Sequence, residues 1–127
     1  MGHSDADALT HAICDALLGA AGLGDIGKHF PDADERFKDI SSLKLLKQVN
    51  AMLKTKGYRV HNIDAVVIAE APKLAPYFAK MAEKLATVLE VSFDRINLKA
   101  TTAEGMGAIG RKERVVALAI ASLSEQP

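Results

Sequence analysis

Apolar spacing changes at Gly57, and no other feature of the chain restricts its fold as much. Before that glycine, apolar residues recur at intervals of three and four. After it, Val60, Ile63, Ala65, Val66, Val67 and Ile68 crowd the stretch from Tyr58 to Ala69, which suits a strand, and Pro72 prevents its clean continuation. One chain must therefore supply both helices and a sheet. Leu9, Ile13, Ala16, Leu17 and Ala20 predict a helix from Asp7 to Ala20, entered through Ser4 and Asp5 and stopped by Gly22 and Gly24. Ser41 and Ser42 precede Leu45, Leu46, Val49, Met52 and Leu53, a second amphipathic helix closed by Gly57. Pro76 suits a first helical position, and Phe78, Met81, Leu85, Val88 and Leu89 continue at helical spacing. Ile96, Leu98 and Ala100 alternate with polar neighbours, predicting a strand that carries Lys99 into Thr101 and Thr102. The apolar run Val115 to Leu123 has no decisive period; it is assigned as a strand because two strands make a poor sheet. The expected class is α+β, with helices packed on one face of a mixed β-sheet and residues 1–127 forming a single domain.

Composition narrows the function. Sixteen basic residues balance sixteen acidic ones, so no net field draws the chain to nucleic acid or to an anionic membrane. With one cysteine, Cys14, there is no disulfide framework and no thiolate metal cage. MGHSDAD is not followed by an apolar leader, and no apolar run approaches a membrane span. The expected location is the cytoplasm, or a plastid-type organelle for a eukaryotic source.

Several polar groups could carry chemistry. Asp7, His11 and Asp15 fall four apart on one stripe of the first helix, a possible metal face or a solvated one. His3, Ser4 and Asp5 precede that helix, where free amides attract phosphate or where Ser and Asp merely cap. Residues 22–40 form a polar stretch too long for a minimal connector; in it, Asp25 and Asp32 could hold sugar hydroxyls or start turns. AEAPK ends one strand beside a stiffening proline. KATTAE ends another with a cation, two hydroxyls and a carboxylate, a mixture that suits a phosphate with a hard metal or simply a polar strand end.

HSDADALTHAICDALLGAAGLGDIGKHFPD, KGYRVHNID, IAEAPKLAP, DRINLKATT and GRKE occur in this order. Together they resemble the 2-C-methyl-D-erythritol 2,4-cyclodiphosphate synthase family over nearly the whole chain. The resemblance implies a homotrimer of α+β subunits around a central axis, with active sites between neighbours. It also implies a metal-dependent lyase of the non-mevalonate isoprenoid pathway: the 2-phosphate of 4-diphosphocytidyl-2-C-methyl-D-erythritol 2-phosphate attacks the β-phosphate, closes a cyclic diphosphate and expels CMP. By residue, it implies His11 as a ligand of a zinc-type ion and Glu104 as a ligand of magnesium or manganese. His3 and Ser4 match the pair at the erythritol end, and Asp15 an acidic residue beside the site. Asp25 and Gly27 match positions that hold the ribose of CDP. Ala69, Lys73, Leu74 and Ala75 match the cytosine pocket supplied by the adjacent subunit, and Thr101 and Thr102 the positions that hold its phosphates. Arg111 matches an arginine at the trimer axis. Against that family, the chain is expected to lack the N-terminal hairpin with its DxH zinc ligands, while Ser41 stands where Asp is usual and Ala108 replaces a bulky aromatic. The expected function is the synthase; the alternative is a catalytically impaired CDP-binding or scaffold trimer.

Overall fold

The computed structural model describes residues 3–31, 42–69, 75–102 and 116–126. In chain order these contain α1 (His3–Ala20), a single-turn α2 (Ile26–His29), α3 (Ser42–Thr55), β1 (Tyr58–Ile68), α4 (Phe78–Leu89), β2 (Ile96–Thr101) and β3 (Val116–Glu125). Short 3-10 turns at Ala75–Tyr77 and Phe93–Arg95 lead into α4 and β2. Pro76 therefore sits in the 3-10 turn ahead of α4, where its missing N–H costs no helical bond.

β1 is the central strand, with β2 parallel on one side and β3 antiparallel on the other. A parallel pair needs a long crossover, and α4 provides it between β1 and β2. The C-terminal run is a strand, from Val116 to Glu125, and the sheet is mixed as expected. Val60 pairs with Leu123 and Asn62 with Ser122, so His61 is an extra residue, a β-bulge. The bulge lets Val60 and Ile63, three apart, both face inward with Ala65 and Val67.

All three longer helices bury a stripe against that inner face. Leu9, Ile13, Cys14, Leu17 and Leu18 come from α1, Leu45, Leu46, Val49 and Leu53 from α3, and Ala82, Leu85, Ala86 and Leu89 from α4. On β3, Ala117, Ala119, Ala121 and Leu123 pack against this core. The α1 stripe differs from the expected one: Ala16 is only half-buried and Ala20 exposed, while Cys14 and Leu18 are enclosed. The larger side chains remove more apolar area from water, and they set the helix rotation.

α1 stops in a Schellman turn, with the Leu23 amide donating to the Leu18 carbonyl at 2.8 Å and the Gly22 amide to the Gly19 carbonyl at 3.0 Å. Gly22 takes φ +71° there, which costs a glycine no Cβ clash. α4 ends the same way with Glu90 in the left-handed position, its carboxylate accepting from Lys54 Nζ.

The outer sheet face is mixed. Asp64 accepts from Asn97 Nδ2 at 2.9 Å and pairs with Lys99 Nζ, and the Asn97 bond first, then Lys99, holds its carboxyl below the usual range. Beside this network Leu118 is 56% and Ile120 75% exposed, large apolar groups that face away from the subunit's own core.

Candidate functional site

Those residues singled out above that the structure describes fall into two groups, one on α1 with α2 and one at the strand ends. α1 begins at His3 rather than Asp7, so His3 and Ser4 lie in its first turn instead of ahead of it. First-turn amides have no partner inside a helix and sit at the positive end of its dipole, so that end remains suited to an anion.

One stripe of α1 then divides its labour. Asp7 Oδ1 accepts from the Ser42 hydroxyl at 2.8 Å, which fastens α1 to the start of α3. His11 is half-buried, with Nε2 shielded from solvent. Asp15 is exposed, and its Oδ1 accepts from the Ile26 amide at 2.8 Å. Between Asp15 and its neighbours, Cys14 is enclosed; burial first, and the Asp15 charge second, push its thiol up to about 12, so it offers no thiolate.

Residues 22–31 are a built bracket rather than a plain turn. Asp25 is the extended N-cap of α2 and accepts from the Lys28 amide at 2.9 Å. Ile26 is buried and anchors the bracket, the Phe30 amide donates to the Ile26 carbonyl at 2.7 Å, and His29 Nε2 pairs with the Leu23 carbonyl. Gly27 is exposed, and a Cβ there would lie 3.5 Å from Asp25 Oδ1, an ordinary contact. The subunit's own packing therefore does not require a glycine beside Asp25.

At the other group, the parallel strands β1 and β2 end side by side. Ile68 is in register with Thr101, and the Ala69 amide donates to the Thr101 carbonyl at 3.0 Å, which brings the start of the AEAPK motif against the end of the KATT motif. Thr101 and Thr102 are exposed at this carboxyl end of the parallel pair, the usual place for ligands on parallel strands. Ala75 opens the 3-10 turn that returns the chain into α4. Asp32, Ser41, Lys73, Leu74, Glu104, Ala108 and Arg111 lie outside the described residues.

Hydroxyls, amides and a helix terminus suit phosphate, while the Asp25 carboxylate suits sugar hydroxyls. Among the described residues no three His, Cys, Asp or Glu side chains converge as metal ligands, so those residues alone do not complete an ion site. Nor is any described helix long and apolar enough to cross a membrane. Sequence reasoning missed the Asp15 bond to Ile26 and the Ser42 bond to Asp7. The only local signal was the polar stripe itself, since the partners lie eleven and thirty-five residues away.

The family model for the YgbB family matches residues 1–124. The 2-C-methyl-D-erythritol 2,4-cyclodiphosphate synthase of Alkaliphilus oremlandii is 55% identical over 123 residues, covering 97% of this chain and 78% of its own length. The enzyme of that name from Desulfosudis oleivorans is 58% identical over 125 residues, covering 98% and 74%. Among solved structures, the bifunctional IspDF from Campylobacter jejuni matches with TM-score 0.90 and 45% identity over 98% of this chain, which spans 34% of that longer protein. An IspF (Plasmodium falciparum) CDP complex matches with TM-score 0.84 and 31% identity, covering all of this chain and 76% of that one.

Proposed function

The chain belongs to the YgbB family, and from that membership we propose that it acts as a 2-C-methyl-D-erythritol 2,4-cyclodiphosphate synthase in isoprenoid precursor synthesis. The observation that carries this reading is identity of 55% across 97% of the chain, beside a family match over residues 1–124 that includes both residue groups. The reaction joins the substrate's 2-phosphate to its β-phosphate and releases CMP. Both reacting groups are anionic, so the protein's task is to hold them in line and offset their charge rather than to supply a nucleophile.

The family resemblance, with the geometry of the described residues beside it, supports a division of the work. Asp25 takes the ribose hydroxyls, and the bare backbone at Gly27 admits the sugar close to it. The exposed hydroxyls of Thr101 and Thr102 donate to the α- and β-phosphates. Ala69, with Lys73, Leu74 and Ala75, forms the cytosine pocket of a neighbouring copy. His3 and Ser4, at the positive end of α1, hold the erythritol phosphate. His11 and Glu104 are the candidate positions for a zinc-type ion and for magnesium or manganese, ions that neutralise phosphate charge when bound.

A homotrimer fits this division, because a site shared between copies needs the two groups to come from different chains. The outer-face residues Leu118 and Ile120 support it, since apolar side chains this exposed gain by being covered. The deciding experiment is phosphorus NMR of the purified chain with its diphosphocytidyl substrate and divalent metal. Replacement of the substrate's 2-phosphate and open-chain diphosphate signals by those of CMP and a cyclic diphosphate in equal amounts is expected. Substrate that persists unchanged while CDP still binds would overturn the catalytic assignment.

A further inference from the structure

We propose that Asp15 is a positioning residue that fixes the ribose bracket to the helix carrying His11, an inference that rests on the ribose role given to Asp25 above. α2 is a single turn, and a helix that short cannot hold its own shape, because nucleation costs more than one or two bonds return. Its first amides must find outside acceptors or remain unsatisfied. Two carboxylates meet that need. Asp25 accepts from the Lys28 amide at 2.9 Å and is local to the turn. Asp15 accepts from the Ile26 amide at 2.8 Å and comes from α1, eleven residues earlier.

Of these two bonds only the second reaches α1 itself; the His29 pairing goes to the Leu23 carbonyl, within the connecting turn. The chain between them leaves α1 through Gly22, at φ +71°, and Gly24, at φ +90°, so the covalent path alone sets the geometry loosely. Ile26 adds a buried apolar anchor, but burial has no direction; a carboxylate bonded to one amide has. Asp15 also follows His11 by four residues, one turn along the same rigid helix. Through Asp15, one helix therefore sets both the histidine and the amide next to Asp25. The substrate's sugar and its reacting phosphates are thereby held in a fixed relation.

An acid or base role makes a different prediction from this one, and two substitutions separate them. D15A removes the acceptor. D15N keeps a side-chain oxygen that accepts the same amide while abolishing proton transfer. D15A is expected to raise the Kd for CDP and the KM for substrate by about tenfold with kcat within about threefold, the size of one charge-assisted bond that acts on binding. D15N is expected to restore both constants to within about threefold of the parent. Amide exchange at Ile26, read by nitrogen-15 NMR, should quicken in D15A and recover in D15N. Equal loss of kcat in D15N and D15A would overturn the proposal in favour of proton transfer. Unchanged CDP affinity and KM in D15A would overturn it outright. A parent chain that fails to bind CDP at all would sink the ribose reading and this inference together, whereas parent binding with an unaffected D15A sinks the inference alone.

Discussion

Replacing Ile120 with aspartate should dissolve the proposed trimer while leaving the subunit folded. In the isolated subunit Ile120 is 75% exposed, so exchanging it removes little from the core. A surface change of this kind is worth within about 0.5 kcal/mol to subunit stability. Assembly is another matter. Burying a whole isoleucine side chain is worth about 1.5–3 kcal/mol, and three quarters of this one remains to be covered, roughly 1–2 kcal/mol per copy. Over a trimer that is about 3–6 kcal/mol forfeited, and an uncompensated buried carboxylate costs several kcal/mol more in each copy. Losses of that order shift a micromolar equilibrium entirely toward single subunits. Light scattering behind a sizing column reads the result directly against the subunit mass of 13.5 kDa. The parent is expected at the mass of a trimer and I120D at that of one subunit, with the same far-ultraviolet circular dichroism. I120D that keeps the parent's trimeric mass, or a parent that runs as a monomer, would refute the argument that this face is covered by other copies.

Three further outcomes follow from the packing and the charges. Leu17→Ala, at a fully enclosed position of α1, should lower unfolding free energy in urea by about 3–4 kcal/mol, from lost transfer energy plus a residual cavity. Cys14, its thiol pushed up to about 12, should resist a disulfide reagent at pH 8 in the folded protein and react promptly once denatured. Asp64 has a folded pKa below its ordinary value of 3.8, so its stabilising contribution is complete above that value and fades as pH falls through the folded pKa. Asn97→Ala should raise the Asp64 pKa in a carbon-13 NMR titration, because it removes the largest cause of the depression.

The fold was legible where one period ran long enough to be unambiguous. α1 and α3 each offer several apolar turns, and β1 declares itself by crowded β-branched residues. β3 required an argument from the sheet as a whole, because Val116 to Leu123 alternates alanine with larger apolar groups on two faces that are both apolar. α2 was not legible: four residues with one buried side chain leave no periodic trace. The start of α1 was missed by four residues, since His3 to Ala6 carry no apolar stripe to mark them as helical. For the site, the motifs marked positions but not connections. Nothing in the sequence ties Asp15 to Ile26 or Asp7 to Ser42, because each bond depends on how elements pack rather than on spacing. Ala69 and Thr101 lie far apart in sequence, and only the parallel pairing of β1 with β2 sets them together.

A crystal structure of the chain grown with CDP and magnesium bears most directly on the proposed shared site. The ribose should lie on Asp25 and Gly27 of one copy, with the diphosphate held by threonine hydroxyls at the end of β2 and the base against Ala69, Lys73, Leu74 and Ala75 of a neighbour. CDP bound within a single isolated subunit, or in a cavity remote from both the bracket and the strand ends, would contradict it.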